Sequence, residues 1–236
     1  KKKTIIKNCK IDSRSIKKND IFLALKGRKF HGRMFSNIAF RNGASLILTD
    51  QFNKKIPKNS QIINDKPLKL FTKVSEKVRI SSGAKVVAIT GSCGKTSLKE
   101  MVANTLGKIG NTCFSEKSFN NFIGVPLSLF NLKNKDSFGV FEVGMDKKGE
   151  INDLTKLIKP DLGVITNITY AHAKNFNNIR EIAKAKAEII YNIKKNGSLI
   201  TDRDDNFYSF FRNISKKLKL NICSFSMKNK NADVYL

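Results

Sequence analysis

The stretch Val86-Val87-Ala88-Ile89-Thr90-Gly91-Ser92-Cys93-Gly94-Lys95-Thr96-Ser97 decides the fold. Four apolar residues of strand type run into a turn bounded by two glycines, and a Lys-Thr pair then opens a segment with helical spacing. That is the order of a phosphate-binding strand, loop and helix. Gly91 and Gly94 permit torsions that a β-carbon would penalise, so successive backbone N–H groups can turn onto phosphate oxygens. Lys95 would meet the β- and γ-phosphates of a nucleoside triphosphate, with ATP the leading candidate, and the Thr96 hydroxyl would be a ligand of Mg²⁺. Gly91, Ser92, Cys93, Gly94, Lys95, Thr96 and Ser97 are therefore the candidate nucleotide-binding residues. The common Walker pattern wants a further glycine where Ile89 stands, so the loop is the shorter Gly-x-x-Gly-Lys-Thr form. A structural turn that merely precedes Lys-Thr is the competing reading; the strand before and the helix after weigh against it.

After Ser97 the chain alternates helices and strands, the pattern of a mainly parallel sheet covered by helices. The spacing predicts helices over 95–108, 178–191 and 207–218, and strands over 112–115, 138–143, 162–166, 198–201 and 222–225. The residues before the loop predict a smaller α/β unit, with strands at 21–25 and 46–48 and helices over 34–42 and 68–80. Ser81-Ser82-Gly83 is the expected boundary. The expected fold is thus α/β: a small N-terminal domain at 1–82 and a phosphate-loop domain with a mainly parallel sheet at 83–236.

At 236 residues the chain can hold one large domain or two small ones, each with a core. No apolar run approaches the ~20 residues of a membrane span, and no signal-peptide pattern precedes the first predicted strand. A soluble, cytoplasmic protein without membrane insertion is expected. Cys9, Cys93, Cys113 and Cys223 include no Cys-x-x-Cys pair, which argues against a zinc site and a disulfide framework. The formal charge of +26 raises nucleic-acid binding. Yet the lysines are spread along the chain beside abundant Asn and Ile, as in a compositional bias, and no aromatic-interleaved basic run is present. No nucleic-acid partner is expected, although such a field draws in anionic substrates.

Candidate ligand groups cluster where predicted strands end, which is where open α/β sheets bind ligands. Glu142 stands nearly alone among apolar residues, and a carboxylate there needs a cation, either Mg²⁺ or a salt-bridge partner. Asn167 and His172 follow the strand at 162–166; His172 reads equally as a structural histidine or a ligand. Lys26-Gly27-Arg28-Lys29-Phe30-His31-Gly32-Arg33 is a basic, glycine-punctuated loop suited either to an anionic ligand or simply to solvent. In Ala183-Lys184-Ala185-Lys186-Ala187-Glu188 the residues alone indicate two helix-surface lysines.

Together these residues resemble the Mur ligase family, the ATP-dependent amide ligases of peptidoglycan precursor synthesis. Thr90–Ser97 fits that family's short loop. Asn120-Asn121-Phe122-Ile123-Gly124-Val125-Pro126 resembles the member that joins D-Ala-D-Ala to UDP-N-acetylmuramoyl-tripeptide, and Asp12-Ser13-Arg14 with Asp20–Gly27 resembles the domain that holds the UDP part of that substrate. Tripeptide-forming relatives differ at the Asn120 motif.

The resemblance implies a monomeric ligase with both of those compounds as substrates. ATP would phosphorylate the tripeptide carboxylate, and the D-Ala-D-Ala amine would displace phosphate from the acyl phosphate. It implies Lys95, His172 and Lys186 as catalytic residues, and Thr96, Glu142, His172 and Lys186 as metal-binding residues. Ser13, Arg14, Asn120 and Asn121 would bind substrate. Lys186, ahead of Lys184, would be carbamylated by CO₂, which only a neutral amine can accept. Two departures stand out. Ala173-Lys174 replaces the Leu-Glu usual after His172, and the family's C-terminal domain would have to follow Leu236. The chain is therefore expected to be a piece of a ligase, which leaves a non-catalytic nucleotide-binding module as the competing class.

Overall fold

A four-stranded parallel sheet forms the first unit of the chain. Cys9–Lys10 (β1), Ile21–Leu23 (β2), Leu46–Thr49 (β3) and Gln61–Ile63 (β4) lie side by side in that order. One 3-10 turn, Gly32–Phe35, leads into helix Ser36–Arg41 (α1). Phe22, Ala39, Ile47, Ile16, Ala44 and Ile56 form the core, with the rings of Phe35 and Phe40 against it. The strand expected over 21–25 ends at Leu23, and the helix expected from Met34 turns regular only at Ser36. The close approach at Gly32 explains both: a Cβ there would stand 2.7 Å from the backbone N and O of Leu25.

The computed structural model describes residues 6–170 and 175–236. It divides into two compact units, one up to Val78 with 129–131, the other of 79–128 and 132–236. Helix Pro67–Ser81 (α2) carries the chain across that division, with Pro67 at its first position, where a missing N–H costs nothing.

The second unit is built on a parallel sheet. Its strands are Lys85–Thr90 (β5), Thr112–Phe114 (β6), Phe138–Glu142 (β7), Leu162–Ile165 (β8), Ser198–Asp202 (β9), Asn221–Ser226 (β10) and Val234–Tyr235 (β11). Their spatial order is β11-β10-β9-β8-β5-β7-β6. Each pairs in parallel with its neighbours. β5 is central, and Val86, Val87, Ala88 and Ile89 are all buried, which is why this strand is a continuous apolar run rather than an alternating one. The helices are Lys95–Gly107 (α3), Gly124–Phe130 (α4), Glu150–Ile158 (α5), Ile179–Ala187 (α6) and Tyr208–Lys217 (α7). Leu98, Val102 and Leu106 of α3 pack on a core of Val87, Ile89, Ala103, Val140 and Val164.

The connectivity positions the site. From β5 the chain moves out to β6 at one edge and back to β7, then crosses to β8 on the other side of β5. The strand order therefore reverses at β5, and the crevice at such a switch point is where open α/β sheets bind ligands. The helix expected over 178–191 splits into α6 and a 3-10 segment, Glu188–Asn192. Among the described residues no helix is long and apolar enough to cross a membrane.

Candidate active site

The loop after β5 has the conformation that its glycines allow. Gly91 lies at φ 145° and Gly94 at φ 79°. A Cβ at Gly91 would also collide with Thr166 Oγ1, so the loop and the end of β8 fit only without a side chain there. Residues 166–169 hold the loop from outside. The Thr166 hydroxyl donates to Cys93 O at 2.7 Å, and Asn167 takes the N–H of Cys93 on its side chain at 2.9 Å and that of Ser92 on its carbonyl at 3.0 Å. Ser92 Oγ in turn donates to Thr169 O at 3.0 Å and accepts from Thr169 N at 2.9 Å. The first turn of α3, from Lys95 to Ser97, begins at the loop, and N–H groups of a first helical turn have no intrahelical acceptor. This is a helix start of the geometry that suits an anion, on a braced loop.

Charged groups converge on it. Lys95 Nζ donates to Gly91 O at 2.8 Å and to Ser92 O at 3.1 Å. Lys186 Nζ donates to the same Gly91 O at 2.9 Å. Lys186 is 2% exposed, and burial, with the Lys95 charge adding to it, lowers its pKa to about 7. A substantial fraction of this amine is neutral at neutral pH. On the other side of the loop, the Thr96 hydroxyl donates to Glu142 Oε2 at 2.7 Å, while Asn120 Nδ2 donates to Glu142 Oε1 at 2.7 Å. Glu142 is 1% exposed and, among the described residues, has no ion-pair partner. A carboxylate so buried and met by two neutral donors has charge left for a cation. The Thr96 and Glu142 oxygens are hard donors of the kind Mg²⁺ takes, so the residues present fit Mg²⁺ on a nucleotide. A cavity of about 680 Å³ opens here, lined by the loop, Asn120, Phe122 and Glu142.

The remaining expected site residues are placed as follows. Asn121 Oδ1 accepts from the N–H groups of Ile123 and Gly124, at 3.1 and 3.0 Å, so this side chain caps the start of α4. Lys184 is exposed, two residues from buried Lys186 on α6. His172 and the Ala173-Lys174 pair lie outside the described residues. In the first unit, Ser13 is buried and its carbonyl accepts from Asn42 Nδ2 at 2.9 Å. Arg14 is exposed and forks onto Asp12, with Nε at 3.0 Å and Nη2 at 2.8 Å, and this hydrogen bonding raises its pKa. In the basic loop, His31 Nε2 lies 3.0 Å and Arg33 Nη1 3.5 Å from Asp50.

The residues that brace the site were not evident from sequence. Thr166 ends a predicted strand, and nothing in its type sets Lys99 apart from the other lysines of the chain. Lys99 is instead fully buried, with Nζ 2.8 Å from Ser115 O and 2.7 Å from Lys117 O. The one available signal was its spacing, three residues after Thr96 on the same helix.

Residues 89–236 match the model of the Mur ligase middle domain, and residues 5–90 that of the Mur ligase family catalytic domain. The chain belongs to the Mur ligase family. This Mur ligase chain is 36% identical over 226 residues to the UDP-N-acetylmuramoyl-tripeptide–D-alanyl-D-alanine ligase of Buchnera aphidicola subsp. Baizongia pistaciae, covering 95% of this chain and 48% of the relative. It is 34% identical over 223 residues to the Escherichia coli ligase of the same name, covering 94% and 48%. Among solved structures, MurF from Acinetobacter baumannii superposes with a TM-score of 0.83 at 30% identity, covering 98% of this chain and 49% of that one. MurF ligase from Thermotoga maritima in complex with ADP gives 0.80 at 27% identity, covering 97% and 52%. The Mur ligase chain described here spans about half the length of these relatives.

Proposed function

We propose that this chain provides the nucleotide and UDP-substrate portions of an ATP-dependent amide ligase that joins D-Ala-D-Ala to UDP-N-acetylmuramoyl-tripeptide. The observation that carries this reading is the meeting of two motifs on one carboxylate. Thr96, from the phosphate loop common to many nucleotide enzymes, and Asn120, from the motif that resembles D-Ala-D-Ala-adding relatives, each hydrogen-bond Glu142 at 2.7 Å. Relatives bearing that enzyme name align with nearly the whole chain.

In this reading residues 83–236 bind ATP, and residues 1–82 hold the UDP moiety, with Ser13 and Arg14 assigned to that task by the resemblance. The N–H groups at the start of α3, together with the Lys95 ammonium, neutralise the phosphates and align the γ-phosphorus with the tripeptide carboxylate, while Asn167 keeps the N–H groups of Ser92 and Cys93. Transfer of this kind depends mostly on positioning and charge. The carboxylate oxygen forms a bond to the γ-phosphorus as the bond to ADP breaks. The D-Ala-D-Ala amine then bonds the acyl carbon, phosphate leaves and the amine loses a proton. Thr96 and Glu142 would hold Mg²⁺, which supplies charge neutralisation on the phosphates when bound; Asn120 orients the Glu142 carboxylate, and Asn121 fixes the turn that follows.

Lys186 is the residue best suited to carbamylation. Its neutral fraction allows the amine nitrogen to bond the carbon of CO₂ with loss of a proton, replacing a cation by an anion that could serve as a metal ligand together with His172. The same reading has the ligase working as a monomer in the cytoplasm, without a nucleic-acid partner.

The test is phosphate release by a protein carrying this chain at the length of its relatives. Release is expected only when ATP, UDP-N-acetylmuramoyl-tripeptide and D-Ala-D-Ala are all supplied. Equal release without the tripeptide would refute the assignment.

A further inference from the structure

We infer that Lys99 is a positioning residue for the metal-binding carboxylate: its buried ammonium clamps the turn that aims Asn120 at Glu142. This inference rests on the nucleotide site proposed above.

Lys99 is fully buried, and its charge is met by Glu100 Oε1 at 2.9 Å and by the carbonyls of Ser115 and Lys117 at 2.8 and 2.7 Å. A buried ammonium is costly to keep where an apolar side chain of the same length would fill the space. What it grips explains its presence. The two carbonyls belong to the turn that leaves β6 at Phe114, where Lys117 takes the left-handed conformation at φ 49°. Three residues later Asn120 donates to Glu142 Oε1, and its own carbonyl accepts from Gly144 N at 2.8 Å. At the near end of the same turn, Ser115 Oγ accepts from Glu142 N at 3.1 Å.

The contacts close a ring. One face of α3 delivers Thr96 to Glu142 Oε2 and, one turn later, Lys99 to the 115–117 carbonyls; the 115–120 turn delivers Asn120 to Glu142 Oε1. Both carboxylate oxygens are therefore oriented from a single helix, one directly and one through Lys99. Removing the ammonium takes its donor from the buried Ser115 carbonyl and the part-buried Lys117 carbonyl and loosens the middle of the turn, so the hold on Asn120, and through it on Glu142 Oε1, weakens.

The experiment is calorimetric titration of ADP across a range of Mg²⁺ concentrations, using the full chain, Lys99→Met, Asn120→Ala and the double variant. The Mg²⁺ concentration for half-maximal enhancement of ADP binding is expected to rise about tenfold in each single variant, as for loss of a group that orients a metal ligand. The double variant should be no worse than the weaker single one, because both changes break one linkage. Metal-free ADP affinity should not move in Lys99→Met. Additive losses in the double variant, or an unchanged Mg²⁺ dependence in Lys99→Met, would overturn the inference. Lys99→Gln, which keeps one donor, should fall between wild type and Lys99→Met, and it serves if the latter does not fold. Failure of both to fold would assign Lys99 to folding alone and also overturn the inference. Absence of any Mg²⁺-dependent ADP binding in the wild-type chain would instead refute the nucleotide site itself.

Discussion

Replacing Lys186 by methionine should stabilise the folded chain at neutral and acid pH, and by an amount that depends on pH in a defined way. The two side chains have similar length and volume, so the change mainly removes a charge. Burial lowers the Lys186 pKa from 10.5 to about 7, which corresponds to about 5 kcal/mol of penalty on the ammonium form. Against this stands the lost hydrogen bond to Gly91 O, about 1–2 kcal/mol, moderated because Lys95 Nζ still donates to that oxygen at 2.8 Å. The net gain for Lys186→Met is about 3 kcal/mol at pH 6. The sign with pH follows from proton counting. Below about pH 7 the folded and unfolded wild type both carry the proton, and the penalty is complete. Between about pH 7 and 10.5 only the unfolded state binds it, so wild-type stability rises with pH, by about 1.4 kcal/mol per unit in the middle of the window. The variant has no such slope, and the two stability curves should cross near pH 9. Urea unfolding in CO₂-depleted buffer at pH 6 to 10 measures the difference directly, since all other titrating groups are shared. A variant less stable than wild type at pH 6, or a difference that does not change with pH, would refute the reasoning about this buried amine.

Two further substitutions test the frame around the site. Gly91→Ala should abolish nucleotide binding and cost about 3 kcal/mol in urea unfolding, since it adds strain at φ 145° to a collision with Thr166; retention of ADP binding would contradict the loop geometry. Arg79→Met should cost about 3 kcal/mol, because Arg79 is buried and its Nε and Nη2 satisfy the carbonyls of Ile158 and Lys159 at the end of α5, at 2.6 and 2.9 Å. The loss should be read from the shift in denaturation midpoint at unchanged slope.

Elements that announce themselves by composition were legible in the sequence. β5, β7 and β8 are apolar runs bounded by turn residues, and α3 is opened by its own loop. α5 does not stand out in the sequence, although Ile151, Leu154, Thr155 and Ile158 recur at helical spacing on its buried face; the preceding Lys147-Lys148-Gly149 and the polar residues between them resemble a loop. β1, β4 and β11 span two or three residues, too few to show a period. Site residues divide in the same manner. The loop residues and Glu142 stand out by type, since glycines before Lys-Thr and a carboxylate in an apolar strand are both exceptional. Lys99 and Lys186 do not, because lysine on a helix is common in a chain with 45 Lys and Arg residues. What distinguishes them is burial, and burial is set by partners remote in sequence: residues 115–117 for Lys99, and Gly91, 95 residues earlier, for Lys186.

Strand register shows why the motif alone could not specify the site. Parallel pairing sets Ile89 of β5 opposite Glu142 of β7, and Thr90 opposite Ile165 of β8. Glu142 therefore ends its strand level with the last residues before the loop, where Thr96 on the first turn of α3 can reach it. Thr166 follows Ile165 and falls beside Gly91, whose missing Cβ it replaces. Side chains alternate faces along a strand, so a slip of one residue between β5 and β7 would send the carboxylate to the opposite face of the sheet. A slip between β5 and β8 would move Thr166 away from Gly91 and remove the hydrogen bond that holds Cys93 O. The apolar residues packed along those registers, Val87, Ile89, Val140 and Val164, belong to the core and not to the lining of the site cavity, yet they decide whether a glycine loop, a threonine and a glutamate become one site.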